Sequence, residues 1–141
     1  LANATIDAAT DLEAAARDAD LISCATLSSE PLVRGAWLKR GAHLDLVGAY
    51  NMQTRESDDE ALRRASVFID TPAALSEGGD VAIGLKSGAI GEGHVRADLA
   101  KLAQGAHRGR ESEAEITLFK SVGAAIEDLA AAMLVWKSLS A

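Results

Sequence analysis

The sequence predicts an α/β fold: a mainly parallel sheet with flanking helices, followed by a long C-terminal helix. Short apolar runs of strand length alternate with helical segments along most of the 141 residues. Parallel neighbours in a sheet need such crossover connections, so this alternation favours βα units. In addition, 48% of the residues are apolar, which is enough for one domain with a sizeable core.

The first half of the chain contains three predicted strands and two predicted helices. Thr10 and Glu13 have the capping-box spacing, which predicts a helix over 10–18 with Thr10 as its N-cap. A second short helix is predicted from Asp58 to Arg64. The apolar, alternating or β-branched runs predict strands, and these are 20–26 (DLISCAT), 42–48 (AHLDLVG) and 66–70 (SVFID).

The second half is predicted to continue the pattern with two helices, a loop and a last strand. Residues 73–77 look helical and end at the Gly78-Gly79 pair, and an amphipathic helix is predicted over 95–104, before Gly105. The polar segment 105–113 is predicted to be an exposed loop. The apolar run EITLF at 115–119 then predicts the last strand.

A long helix is predicted from Ser121 onward. Its apolar positions recur at spacings of four and three residues, as one face of a helix requires: Val122, Ile126, Leu129, Met133 and Trp136. At 1.5 Å per residue the helix would be about 28 Å long. Because a crossover helix is shorter, we expect it to reach another domain or subunit.

Composition argues against nucleic-acid and membrane partners. The net charge is −7 and the basic residues are scattered, whereas a nucleic-acid site carries clustered Lys and Arg. No segment has the roughly 18 consecutive apolar residues that a membrane span needs. The single cysteine, Cys24, fits a reducing compartment, so we expect a cytoplasmic protein.

The sequence also predicts no metal site. His43, His94 and His107 lie in separate segments without ligand spacing, and Cys24 has no partner for a metal or for nucleophilic catalysis. We therefore expect the histidines to be structural or solvated, and Cys24 to be a small core residue.

A phosphate-binding glycine-rich turn is missing from the sequence. The nearest run, GAIGEG at 88–93, has the wrong spacing for G-x-G-x-x-G and follows no convincing strand. The chain also begins with Leu1 rather than Met. We therefore expect a truncated product or a fragment of a longer protein.

Three segments resemble the ornithine cyclodeaminase/μ-crystallin family. The central one is RGAWLKRGAHLDLVGAYNMQTRESDDE at 34–60, which is similar to the family's G-x-W-x-K-x-G-x-H-x-x-x-V-G-A stretch followed by R-E-x-D-D-E. ADLISCAT at 19–26 and EITLFKSVGAAIED at 115–128 resemble the family's preceding strand and late signature. The three segments occur in the family's order.

The resemblance implies a partial Rossmann-like domain at 1–119 and a C-terminal helix at 120–141 that returns to a dimerisation and substrate domain. It also implies a homodimer and an NAD(P)-dependent oxidoreductase that acts on an amino acid or cyclic imine, as a ketimine reductase does. The choice between NAD and NADP stays open. The alternatives are ornithine cyclodeaminase (ammonia-lyase) activity and a non-catalytic binding or structural remnant.

The same resemblance places six residues near the cofactor. They are Thr26, Val47, Gly48, Ala49, Lys120 and Ser121. Thr26 and 47–49 follow predicted strands, at the edge where doubly wound sheets bind ligands, and small residues there would let a nicotinamide approach the backbone. An ordinary turn role for Thr26 stays open, and Ser121 could also cap the last helix.

Two residues are predicted to lie on the substrate side. The resemblance matches Tyr50 to the position where the cyclodeaminases carry a catalytic acid, and an unperturbed phenol has a pKa about six units above that of a carboxyl group. Tyr50 therefore disfavours cyclodeaminase chemistry. Glu77, before the glycine pair, resembles a family position near the substrate pocket, although a solvated acid at a helix end is an equal alternative.

Overall fold

A five-stranded, wholly parallel sheet forms the centre of the computed structural model, which describes residues 4–140. The strand order across the sheet is β1-β2-β5-β3-β4. The strands are β1 (Leu21–Cys24), β2 (His43–Leu46), β3 (Ser66–Ile69), β4 (Val95–Asp98) and β5 (Thr117–Lys120). The predicted parallel α/β architecture is confirmed.

Within residues 4–140, five α-helices and three 3-10 turns connect and flank these strands. The helices are α1 (Leu12–Asp18), α2 (Asp59–Arg64), α3 (Gly79–Ser87), α4 (Leu99–Ala103) and α5 (Ala125–Leu139). The 3-10 turns are Gly35–Trp37, Pro72–Leu75 and Glu92–His94.

The main core lies between one face of the sheet and helices α2 and α3. Leu44 and Leu46 of β2 point to the same face because strand side chains alternate, and both are fully buried. They form one cluster with Leu118 of β5, Leu62 of α2 and Val81 of α3. Full burial of such a side chain is worth about 1.5–3 kcal/mol.

The first helix begins one residue later than predicted. Asp11, not Thr10, is its N-cap, since the Asp11 carboxylate accepts a hydrogen bond from the Ala14 N–H at 3.0 Å. Glu13 does not complete a capping box but forms an ion pair with Arg17 at 2.7 Å, one turn further on. An aspartate at the adjacent position therefore replaces the predicted threonine cap.

The predicted helix over 95–104 is wrong in its first half. Residues 95–98 form β4, whose Val95 and Ala97 pair with Val67 and Phe68 of β3, and only the short α4 follows. Asp98 ends the strand and caps α4, because its carboxylate accepts from the Lys101 N–H at 2.8 Å. Long-range pairing with β3 overrides the local helical pattern.

Helix α3 was not predicted. The predicted helix at 73–77 is only a 3-10 turn, and the Gly78-Gly79 pair lies at the N-terminus of α3 instead of ending a helix. A Cβ on Gly79 would lie 2.0 Å from the Thr54 carbonyl oxygen. Gly79 is therefore required by close backbone packing, which has no signature in the local sequence.

The C-terminal helix is present but shorter than predicted. It begins at Ala125, after Gly123 turns the chain with φ +82°, and its 15 residues span about 22 Å. Of the predicted stripe, Ile126, Leu129, Met133 and Trp136 lie in α5, and each is more than half exposed. Helix α5 therefore projects from the described part of the chain with its apolar side uncovered.

Candidate functional site

The loops that follow β1, β2, β3 and β5 leave the sheet at one edge. Because all the strands are parallel, residues 25–28, 47–50, 70–71 and 121–123 lie together there, and we call these segments the carboxyl edge. Ligands of open α/β sheets bind at this edge.

Glu56 joins two of these loops with one carboxylate. Its Oε1 accepts hydrogen bonds from the Thr26 N–H at 2.6 Å and from the Thr26 hydroxyl at 2.8 Å. Its Oε2 accepts from the N–H groups of Gly48 at 2.9 Å and Ala49 at 3.3 Å. Glu56 is fully buried, so these four donors compensate the removal of its charge from water.

The backbone of Glu56 is also fixed by hydrogen bonds. The Glu56 carbonyl accepts from the N–H groups of Leu32 and Val33, and its own N–H donates to Asp80 Oδ1 at 2.9 Å. Asp80 lies in the first turn of α3, where a carboxylate is favoured by the helix dipole. It also accepts from the Ser57 N–H at 2.7 Å and hydroxyl at 3.0 Å.

Lys120, predicted near the cofactor, lies beneath this edge with its side chain fully buried. Its Nζ donates to the Leu46 carbonyl at 3.1 Å and lies 4.0 Å from Asp80 Oδ2. Burial lowers the pKa of Lys120, against the opposing effect of the Asp80 charge. The side chain thus neutralises Asp80 inside the fold, and in this arrangement it has no surface with which to touch a ligand.

Burial also dominates the electrostatics of Asp80. It raises the pKa of the Asp80 carboxyl, while the hydrogen bonds from Ser57 and Glu56 and the Lys120 charge act in the opposite direction. Among the described residues, Asp80 Oδ2 has no hydrogen-bond partner. The pair is therefore held by charge and packing more than by a direct hydrogen bond.

Asp70 organises the other side of the carboxyl edge. Its Oδ2 accepts from the Ser121 hydroxyl at 2.9 Å and from the N–H groups of Val122 at 2.7 Å and Gly123 at 2.8 Å. Ser121 therefore does not cap α5, which begins at Ala125 with Ala124 in the N-cap position. Instead, Asp70 and Ser121 fix the segment that leads from β5 into α5.

Four of the predicted cofactor residues come together in the structure. Thr26, Gly48 and Ala49 share Glu56, and Val47 beside them is 44% exposed. A Cβ on Gly48 would lie 1.9 Å from the Thr26 carbonyl oxygen. Contact between the two loops therefore requires glycine here, a reason that differs from the predicted approach of a cofactor to the backbone.

The two predicted substrate-side residues lie on neighbouring loops. Tyr50 is 54% exposed, and Glu77 is exposed as well. The Gly79 N–H donates to the Ala49 carbonyl at 3.0 Å, which joins the loop that carries Glu77 to the loop that carries Tyr50. Both side chains are thus accessible, on loops that this hydrogen bond joins.

Sequence reasoning missed the three buried acids Glu56, Asp70 and Asp80. Asp70 had a readable signal, because it directly follows an apolar strand at the edge where ligands bind. Glu56 lies in the charged run RESDDE, where nothing separates a buried carboxylate from its solvated neighbours. Asp80 follows the glycine pair that was interpreted as a helix end.

Cys24 and the histidines take structural positions. Burial raises the pKa of the Cys24 thiol to about 11, with smaller contributions from Glu56, Asp80 and Asp45. The His43 ring contacts the Thr117 hydroxyl at 2.8 Å, and burial lowers its pKa. Within residues 4–140, no group of His, Cys, Asp or Glu is arranged to hold a metal ion. None of the helices in this range has the length and apolar character of a membrane-spanning segment.

A cavity of about 720 Å³ lies beside α3. Its walls include Met52, Leu75, Leu85 and Ile90, and they contain none of the predicted site residues within the described part of the chain. The candidate site is therefore an open surface formed by loops.

The match to a known family extends over nearly the whole chain. The sequence profile of the ornithine cyclodeaminase/mu-crystallin family matches residues 2–141. The chain belongs to this family. Within the ornithine cyclodeaminase/mu-crystallin family, the ketimine reductase mu-crystallin of Mus musculus is 42% identical over 130 residues, which are 92% of this chain and 39% of the mouse protein.

Two solved structures of similar enzymes share the fold of this chain. The Δ1-pyrroline-2-carboxylate reductase of Thermococcus litoralis, in complex with NADH and L-proline, has a TM-score of 0.83 at 41% identity, over 89% of this chain and 39% of the reductase. An archaeal alanine dehydrogenase dimer with bound NAD has a TM-score of 0.84 at 34% identity, over 93% of this chain and 41% of the dehydrogenase. The chain thus spans about two fifths of the length of these relatives.

Proposed function

We propose that the protein containing this chain is an NAD(P)-dependent oxidoreductase that acts on an amino acid or a cyclic imine. The observation that carries the proposal is the carboxyl edge, where Glu56 holds Thr26 beside Gly48 and Ala49 and leaves Tyr50 accessible. The two similar structures, one with NADH and L-proline and one with NAD, support this assignment.

The carboxyl edge fits the nicotinamide end of the cofactor. Thr26, Val47 and Ser121 offer a hydroxyl, an accessible apolar side chain and a second hydroxyl on adjacent loops. When bound, the cofactor supplies the hydride chemistry, and hydride would pass between nicotinamide and the α-carbon of the substrate. The sequence has no G-x-G-x-x-G turn, so we assign the pyrophosphate to none of its residues.

On the substrate side, we assign Tyr50 and Glu77. The accessible Tyr50 phenol can donate a hydrogen bond to a substrate carboxylate or imine nitrogen, and Glu77 can accept one from a substrate N–H. Lys120 acts indirectly in this proposal, by neutralising Asp80 beneath the edge. This chain would therefore orient the substrate and its proton-bearing groups.

We further propose a cytoplasmic homodimer in which 1–119 belongs to the cofactor domain and α5, within 120–141, packs on other parts of the assembly. The alanine dehydrogenase dimer supports this arrangement, as does the uncovered apolar side of α5. Cyclodeaminase activity remains a second candidate, favoured by the family match but disfavoured by Tyr50. A non-catalytic binding role is the third.

The proposal is tested by titrating the whole protein with NADH and with NADPH, using nicotinamide fluorescence and calorimetry. We expect micromolar binding of at least one of them, and cofactor oxidation when a cyclic imine carboxylate is added. Absence of binding to both would overturn the proposal in favour of a non-catalytic role. Formation of proline and ammonia from L-ornithine without net cofactor turnover would favour the cyclodeaminase.

A further inference from the structure

The four hydrogen bonds from Thr26, Gly48 and Ala49 to the Glu56 carboxylate form what we call the Glu56 clamp. We propose that Glu56 is a positioning residue for the nicotinamide end of the cofactor, and that it turns the Thr26 hydroxyl into a hydrogen-bond acceptor at the carboxyl edge. This inference rests on the proposed function and adds a residue that the sequence did not single out.

The single proton of the Thr26 hydroxyl determines whether this group donates or accepts a hydrogen bond at the carboxyl edge. A threonine hydroxyl carries one proton, and the Thr26 proton is donated to Glu56 Oε1 at 2.8 Å. A carboxylate accepts only, so this bond cannot run in the other direction. Thr26 is half-buried, and its oxygen keeps lone pairs, one of which is engaged only by a long contact of 3.4 Å from the Ser28 N–H. The matching ligand group is a donor, such as the carboxamide NH₂ of nicotinamide.

The clamp also fixes the distance between two loops. Glu56 Oε1 holds the loop after β1 through Thr26, and Oε2 holds the loop after β2 through Gly48 and Ala49. The loops touch so closely that a Gly48 Cβ would lie 1.9 Å from the Thr26 carbonyl oxygen. A ligand that bridges these loops would therefore meet a surface that is already formed, which lowers the entropic cost of binding.

A neutral amide cannot reproduce this pattern. Glutamine has one acceptor oxygen, and its NH₂ group would face the N–H groups or hydroxyl that now donate to the second carboxylate oxygen. In Glu56→Gln, either the Thr26 loop or the Gly48 loop must therefore turn away. The matched control is Glu60→Gln, since the Glu60 side chain is 45% exposed and pairs with Arg63 on the surface of α2.

The experiment compares two ligands on the whole protein. NADH contains the nicotinamide, and ADP-ribose contains the same adenosine and phosphates without it; if wild type binds only NADPH, the pair is NADPH and 2′-phospho-ADP-ribose. For Glu56→Gln we expect affinity for NADH to fall by about tenfold to a hundredfold, the effect of losing a charge-assisted hydrogen bond, while affinity for ADP-ribose stays near that of wild type. Glu60→Gln should change neither the affinity for NADH nor the affinity for ADP-ribose. A purely structural role would lower both affinities together.

Thr26→Val tests the same inference if Glu56→Gln does not fold, because Val keeps the shape of Thr and removes one hydroxyl. We expect Thr26→Val to lose affinity for NADH but not for ADP-ribose, and Thr26→Ser to retain both. The inference is overturned if Glu56→Gln or Thr26→Val binds NADH as tightly as wild type does, or if these two variants lose affinity for both ligands equally. If wild type binds neither NADH nor NADPH, the proposed function itself fails.

Discussion

Gly48 lies where the loop after β2 crosses the loop after β1. The Thr26 N and carbonyl O atoms would lie 2.2 Å and 1.9 Å from a Cβ at this position. Both atoms belong to the backbone, so no side-chain rotation could relieve the contact. At the scale of single residues, the candidate site thus depends on the lack of a side chain at Gly48 as well as on the buried carboxylate of Glu56.

Gly48→Ala is expected to destabilise the fold. The added methyl group must push the two loops apart and stretch the Glu56 clamp, which we expect to lower the free energy of unfolding by about 2–4 kcal/mol. Denaturant unfolding of the whole protein measures this. Gly93→Ala is the matched control, because a Cβ there meets nothing within 4 Å and should leave stability almost unchanged. Equal stability of the two variants would contradict the close contact.

At the scale of elements, the Asp80–Lys120 pair connects the N-terminus of α3 to the end of β5. The Asp80 carboxylate also receives the N–H groups of Glu56 and Ser57, so α3, β5 and the Glu56 segment converge on one buried acid. Removing one partner of a buried pair leaves an uncompensated charge, which is strongly destabilising. The relative placement of these elements therefore depends on the pair.

Lys120→Met is expected to lower the free energy of unfolding by about 3–5 kcal/mol near pH 7. Burial already raises the pKa of Asp80, and losing the Lys120 charge raises it further. For an acid with a raised folded-state pKa, stability is present below the unfolded pKa and is lost as the pH rises through the folded pKa. The loss should therefore be smaller near pH 5 than near pH 7.

Urea unfolding of the whole protein at both pH values checks this prediction. Lys86→Met, which replaces an exposed lysine of α3, is the control and should show little change at either pH. Adding Asp80→Asn to Lys120→Met should recover part of the lost stability, because it removes the unpaired charge. A loss that is larger at the lower pH would contradict the assignment of the effect to Asp80.

At the scale of the whole molecule, α5 stands apart from the sheet. Asp70 fixes the segment that leads into it, yet Leu129, Met133 and Trp136 are each more than half exposed in the described part of the chain. An apolar side of this extent is typical of an interface. From this uncovered apolar side, we expect α5 to pack against another protein surface.

Replacing both Leu129 and Met133 with Glu is expected to disrupt the packing of α5 against the surface that covers it. Each buried apolar side chain contributes about 1.5–3 kcal/mol, and buried charges add a penalty. Sedimentation of the whole protein at micromolar concentration should then show a smaller species, or denaturant unfolding should show a large loss of stability. Asp128→Asn, an exposed polar change on the same helix, is the control. Wild-type size and stability in the double variant would show that α5 is not part of an interface.

The local sequence predicted those elements whose hydrophobic pattern matches their burial in the folded protein. The runs at 20–26, 42–48 and 66–70 predicted β1, β2 and β3, because buried parallel strands are short and apolar. At the carboxyl edge, Thr26 and 47–49 were predicted to lie together, and the structure brings them together. Their contact with a cofactor remains a prediction.

Tertiary structure decided the features that depend on contacts between residues far apart in the sequence. Residues 95–98 form a strand because β3 offers a pairing edge, and residue 79 must be glycine because the Thr54 carbonyl leaves no room for a side chain. Glu56 looks like a solvated charge in the sequence and Lys120 was predicted to lie near the cofactor, yet both are fully buried. Their positions follow from hydrogen-bond partners and charges brought together by folding, and these partners lie up to 74 residues away along the chain.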